Sequence, residues 1–188
     1  MAETTITYLQ QLHPGQLRPS SAVLPAGARI ERVEHPTAEF SRFLYQSVGS
    51  GLHWADRLVL TRSQWQQQLQ RPGSETWVLY HQGAPQGYAE LAAAAGPQGT
   101  EAEIFYFGLF PQAIGQGLGG VLLTETVRQA WSLHERHALP AVQRVWLHTC
   151  SLDGPGALPN YLARGFEIYA TEVEAGEPKD AAAGLWPH

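Results

Sequence analysis

The chain has 188 residues, 44% of them hydrophobic and 15% charged, a balance that suits one globular domain with a substantial core and excludes a disordered main body. A formal net charge of -5 argues against a general nucleic-acid binder, which needs a basic surface to displace counterions. No apolar run approaches the ~20 residues of a membrane helix, the first residues lack the basic start and apolar stretch of a secretory signal, and the single cysteine, Cys150, has no internal disulfide partner, so a soluble cytoplasmic protein is expected.

In chain order, Ile6 and Tyr8 with flanking threonines suggest a short strand, and residues 13–27, rich in Pro, Gly and Ser, a loop. Residues 28–34 alternate apolar and charged side chains as a half-buried strand does. Pro36 opens a helix carrying Phe40, Phe43, Leu44 and Val48, which Gly49 and Gly51 end. A second helical pattern starts at Ser63 and stops at Pro72-Gly73. Residues 76–81 and 86–92 then read as paired strands around the turn Gln82-Gly83, and residues 93–100 as a loop. Residues 101–110 form a long strand, nearly continuous in apolar side chains and therefore buried on both faces, which Pro111 interrupts. A helix over 117–133, a strand over 142–150, a short helix over 161–164 capped by Gly165, and a strand over 166–173 complete the pattern. The fold class is α/β (α+β): a mixed, mostly antiparallel central sheet with helices on both faces. Residues 1–27 are expected as a leading strand and loop, 28–173 as the main domain, and 174–188 as a flexible tail.

The motif with the most chemical content is Gly115-Gln116-Gly117-Leu118-Gly119-Gly120. It follows a buried strand and opens a helix, so free backbone N–H groups and the positive end of the helix converge where an anionic phosphate can sit. Glycines let the backbone approach closely and take positive φ; their other use is tight packing of helix on strand. Gly115-x-Gly117-x-x-Gly120 also matches the dinucleotide fingerprint formally. That fingerprint belongs at the start of its fold, however, with an acidic residue ending a second strand about 20 residues on. Here it lies past the midpoint, and Glu135 is not at a strand end. A nucleotide triphosphatase is weaker still, because no Gly-Lys-Ser/Thr follows.

The run Leu109-Phe110-Pro111-Gln112-Ala113-Ile114-Gly115-Gln116-Gly117-Leu118-Gly119 resembles the coenzyme-A-binding motif of the GNAT superfamily of N-acetyltransferases. Ala157-Leu158-Pro159-Asn160-Tyr161-Leu162-Ala163-Arg164-Gly165-Phe166 is similar to that family's second signature, with one helix and one strand between the two. The resemblance extends over residues 76–173 and departs in two places. Ile114 stands where the family usually has Arg or Gln, and Gly154 beside Asp153 where it often has a cofactor-contacting asparagine.

The resemblance implies acetyl-CoA as cofactor and a primary amine, on a small molecule or a peptide, as acceptor. Cofactor contacts fall to Leu109, Phe110, Gly115, Gln116, Gly117, Leu118, Gly119, Gly120 and Asn160, although Asn160 also suits a helix N-cap. An alkyl amine of pKa about 10.4 is neutral in only about one molecule in 2,500 at pH 7, so a base is useful, and the departing thiolate benefits from an acid. Tyr161 matches the family's acid. Glu103, working through water, is the first choice of base, ahead of Glu101 and Glu90. His53, Trp54 and Arg57 are candidates for acceptor binding, with Arg57 expected to meet an acidic or carbonyl group; alternatively Trp54 anchors the loop and Arg57 pairs with a carboxylate. No metal site is expected, since His134 and His137 lack further ligands, and Cys150 reads as a small buried side chain. No nucleic-acid or membrane partner is expected, and a homodimer is compatible with the pattern. The alternatives are a non-catalytic acyl-CoA-binding module of the same fold and a dinucleotide-dependent oxidoreductase.

Overall fold

Alternating apolar side chains build one sheet that both sets of helices share. In the computed structural model, which describes residues 3–175, the described strands are β1 (Glu3–Gln11), β2 (Arg29–Arg32), β3 (Glu75–His81), β4 (Ala84–Gly96), β5 (Gly99–Leu109), β6 (Val142–Cys150) and β7 (Glu167–Ala175). They lie in the order β2-β3-β4-β5-β6-β1-β7. Neighbours are antiparallel except β5 and β6, which are parallel. The mixed, mostly antiparallel sheet is the one expected.

Two helices cover one face. α1 (Ala38–Gly49) starts at Thr37, whose hydroxyl accepts from Phe40 N, and α2 (Arg62–Leu69) starts with a reciprocal capping box between Thr61 and Gln64. Their Leu44, Tyr45, Val48, Trp65 and Leu69 pack on Val78, Tyr88, Tyr106 and Phe110 of the sheet. The other face is covered by α3 (Leu118–Trp131), α4 (Leu133–Arg136) and α5 (Ala157–Ala163). There Leu123, Val127, Leu133, Tyr161 and Phe166 meet Leu9, Leu91, Ile104, Val145 and Leu147.

One irregularity shapes the site. Glu90 pairs with Tyr106 and Leu91 with Ile104, which leaves Phe105 as an extra residue on β5. Ile104 and Tyr106, two apart, therefore face opposite cores, since a bulge reverses the alternation and bends its strand. Beyond it β5 and β6 part: their last paired residues are Glu103 and Trp146, while β5 runs on to Leu109 and β6 to Cys150.

Four expectations need correction. Residues 93–96 and 99–100 are strand, not loop, because β4 and β5 continue to a tight hairpin at Gly96 and Gly99; the alanine run has weak strand propensity, but ladder pairing overrides it. The short helix starts at Ala157, so Tyr161 is its fifth residue rather than its first. β1 is not a separate leading segment but an inner strand, hydrogen-bonded to β6 on one side and β7 on the other. Glu174 and Ala175 belong to β7, and the remainder of the expected tail lies outside the described residues. Gly165 does terminate the last helix turn with φ 89, and a Cβ there would fall 1.9 Å from the Gln16 carbonyl oxygen, so the loop after β1 also requires a glycine at this place.

Candidate active site

Where β5 and β6 part, a cleft of about 720 Å³ opens. Residues 104–109 form one wall, His148, Thr149 and Cys150 the other, and Gly115, Gly117, Gly119 and Gly120 lie at one end. Gly117 caps α3 in the left-handed conformation (φ 76) and no side chain caps the helix. Gly115 has φ 82, with nothing within 4 Å of where a Cβ would stand. The N–H groups of the first turn of α3 are thus presented beside open space, with the positive end of the helix dipole behind them. This arrangement fits the pyrophosphate of coenzyme A, and the separated strands leave a channel with unpaired backbone on the β5 edge.

The expected cofactor residues divide by position. Leu109, Gly115, Gly117, Gly119, Gly120 and Asn160 line the cleft. The Asn160 side-chain amide donates to Gly119 O at 3.3 Å, and since Gly156 occupies the N-cap of α5, Asn160 is not that cap. Phe110 is buried against Phe43 and its N–H already donates to Gln86 O at 2.8 Å, so this donor is spent on the fold. The Leu118 side chain is buried in the core. The Gln116 side chain folds back to donate to Gln112 O. Ile114, 66% exposed, lies at the cleft's edge, where it offers an apolar surface in place of the family's usual donor.

Tyr161 lies in the cleft wall with its ring among Phe107 and Phe166. Burial and then the Asp153 carboxylate push its hydroxyl well above the ordinary tyrosine value, so it keeps its proton at neutral pH. Glu103 does not reach the walls itself. Its Oε1 lies 3.5 Å from Nδ1 of His148, and His148 lines the cleft. The bond to Glu103 raises the imidazole above its ordinary 6.5, against burial, with the charges of Glu103, Asp153 and Asp56 adding. The rival carboxylates are committed elsewhere: Glu101 to Arg144 at 3.1 Å, and Glu90 to Arg57 at 2.7 Å in the core.

The residues expected on the acceptor side also separate. His53, at φ 57, and Trp54 line the cleft. Trp54 packs between Tyr45 and Tyr106 at 5.4 and 5.3 Å between ring centres, so it is both anchor and wall. Arg57 is turned away into the core, stacked over Trp65 and Tyr106, because Glu90 there needs a counter-charge; it does not face the cleft. His148 is not among the residues expected from the sequence, and Asp56, which lies in the expected segment, faces the cleft in place of Arg57. The signal for His148 was a histidine in a strand where Val145, Leu147 and Thr149 are buried and the alternate positions face away, but its meeting with Glu103 depends on the β5–β6 register.

The bulge of β5 against β4, the parting of β5 from the parallel β6 and the glycine-led helix at that opening suit an acyltransferase cleft, and the dinucleotide alternative fails, since the glycine turn follows the fifth strand of a mixed sheet. The chain belongs to the Acetyltransferase (GNAT) family, whose model matches residues 38–166. Its fold is similar to that of a GCN5-related N-acetyltransferase from Sphaerobacter thermophilus, with a TM-score of 0.62 at 16% identity over 97% of this chain and 56% of that one. It also resembles one from Kribbella flavida, with a TM-score of 0.56 at 20% identity over 92% and 56%. A third is an aminoglycoside acetyltransferase from an uncultured soil metagenomic sample, in complex with trehalose, with a TM-score of 0.57 at 16% identity over 73% and 87%. The chain spans 50–60% of the length of four of the similar structures. No curated protein sequence matches it. No described helix is long and apolar enough to cross a membrane.

Proposed function

We propose that this protein transfers an acetyl group from acetyl-CoA to a primary amine in the cleft between β5 and β6. The observation that carries the reading is one opening lined by the uncapped, glycine-led start of α3, by Tyr161, and by a histidine backed by a carboxylate. Gly115 to Gly120 hold the pyrophosphate through backbone N–H groups, and Leu109 and Asn160 border the arm of the cofactor. When bound, acetyl-CoA supplies a thioester carbonyl open to attack by an amine.

The protein's own groups handle the protons. With Nδ1–H of His148 directed to Glu103, Nε2 carries the lone pair that faces the cleft. It takes the proton released as the amine nitrogen bonds to the acetyl carbon. The hydroxyl of Tyr161 gives its proton to the sulfur as the carbon–sulfur bond breaks. Unpaired backbone N–H groups on the open edge of β5 stabilise the oxygen on which negative charge develops. Glu103 therefore acts through His148, not through water alone. A protein of similar fold, an aminoglycoside acetyltransferase, has been captured in complex with sisomicin.

The test is thiol release from acetyl-CoA across a panel of primary amines, together with calorimetry of coenzyme A alone. Binding of coenzyme A with amine-dependent thiol release is the expected result. No affinity for coenzyme A would overturn the reading, and affinity without turnover would leave a binding module.

A further inference from the structure

With Arg57 buried, Asp56 is the charged side chain that the loop after α1 offers to the cleft. Its neighbours fix it. Ala55 and Arg57 are buried on either side, and Trp54 is seated so closely on α1 that a Cβ at Gly49 would fall 2.4 Å from the Trp54 Cβ. One Asp56 oxygen accepts from the Tyr45 hydroxyl and the other from the Tyr106 hydroxyl, each at 2.6 Å. Burial and the bonds to Asp56 hold both tyrosines far above their ordinary value, so both remain donors. The result is an oriented carboxylate in an exposed position, with two of its roughly four acceptor sites used.

The permanently charged side chains of the cleft are acidic. Asp56, Asp153 and Glu174 line it, and among the described residues no lysine or arginine does. Trp54, Phe105 and Tyr106 line the same cleft, with the Tyr106 hydroxyl on Asp56, and aromatic faces attract ammonium groups. A cleft of one charge sign concentrates ligands of the opposite sign. The carboxylate is ill suited to the reacting nitrogen itself, because an ammonium held by an anion is harder to deprotonate. It suits a second ammonium that stays charged throughout.

Resting on the transfer reading above, the geometry points to an acceptor with at least two amino groups, one attacking at His148 and another held as an ammonium by Asp56 beside the packed rings of Trp54 and Tyr106. This reverses the expectation, drawn from Arg57, of an acidic or carbonyl-bearing acceptor.

The test compares butylamine, 1,4-diaminobutane and 4-aminobutanoate, three chains of equal length, in thiol release from acetyl-CoA by the wild-type protein and by Asp56→Asn. The diamine is expected to exceed butylamine in kcat/KM by about tenfold or more, as a charged hydrogen bond provides, and 4-aminobutanoate to be the poorest. Asp56→Asn brings the diamine-to-butylamine ratio close to one. Because Tyr45 and Tyr106 face an amide in that variant, a second measurement avoids mutation: in the wild-type protein the same ratio falls as salt rises. Equal use of diamine and butylamine, or a ratio indifferent to both Asp56→Asn and salt, overturns the inference while the transfer reading stands. If no amine releases thiol, the transfer reading fails and this inference fails with it.

Discussion

Nη1 of Arg57 lies 2.7 Å from Oε1 and 2.8 Å from Oε2 of Glu90, in an ion pair whose side chains are 1% and 3% exposed. Glu90 is on β4 and Arg57 in the loop after α1, so the pair ties that loop, and with it Trp54 and Asp56, to the sheet. Removing one partner leaves a buried charge without compensation. Arg57→Ala is expected to cost about 3–5 kcal/mol of stability, whereas an apolar replacement of both partners recovers most of it. Urea unfolding of the single variant and of Arg57→Met with Glu90→Leu checks this; a single variant as stable as wild type would contradict it.

The pairing of Glu103 with His148 predicts a pH dependence. A protonated imidazole cannot accept the amine's proton, so kcat/KM rises as pH passes the His148 value. Glu103 is the largest cause of that value's being raised. Glu103→Gln should therefore move the acid limb of the profile to lower pH, and His148→Ala should remove it. A limb that stays in place in Glu103→Gln would separate His148 from Glu103 in function.

Tyr161→Phe keeps the ring contacts with Phe107 and Phe166 and removes the proton donor. A positioned acid contributes typically ~10²-fold or more, so kcat should fall by about that factor while coenzyme A affinity holds. Single-turnover kinetics at wild-type speed would rule the hydroxyl out.

Gly117 sits at φ 76 as the cap of α3, a backbone conformation that a β-branched side chain adopts only with strain, so the turn that presents the first N–H groups of α3 must shift. Gly117→Val is expected to weaken coenzyme A binding by roughly tenfold or more, equivalent to ~1.4 kcal/mol, which calorimetry on the folded variant measures. Unchanged affinity would move the phosphate site away from this turn.

Glu75 provides a probe of the fold that is independent of the cleft. It is buried, and receives hydrogen bonds from Arg136, Trp77 and Arg32. Burial pushes its carboxyl up, but these bonds outweigh it and leave the group below its ordinary 4.5. A lowered folded value stabilises above the unfolded value, and that contribution is lost as pH falls through the folded one. Stability should therefore decline on acidification below 4.5, with a shallower slope in Glu75→Gln. Equal slopes in acid titrations of the two proteins would assign the decline to other carboxylates.

Much of this was legible in the chain itself. Strong local signals set the elements: the period of α1, the Gln82-Gly83 turn, and the apolar strand broken by Pro111. The glycine turn announced itself because backbone approach to an anion needs glycine at particular positions, which is a local requirement, and Tyr161 was readable through its spacing from Gly165-Phe166. What the sequence could not carry was pairing between distant segments. β1 lies inside the sheet because both its edges find partners, β6 and β7, more than 130 residues away. Arg57 and Asp56 are adjacent, and nothing in their order says which is buried. Glu90 on a neighbouring strand draws the cation into the core, and two tyrosine hydroxyls from α1 and β5 hold the anion toward the cleft. His148 faces Glu103 only in the register that β5 and β6 adopt before they part. The local elements, the family motif and the glycine turn follow from the chain alone, because short-range geometry suffices for each. Which of Asp56 and Arg57 faces the cleft, and the meeting of Glu103 with His148, come only from tertiary packing, because each depends on which side chain a distant partner can reach.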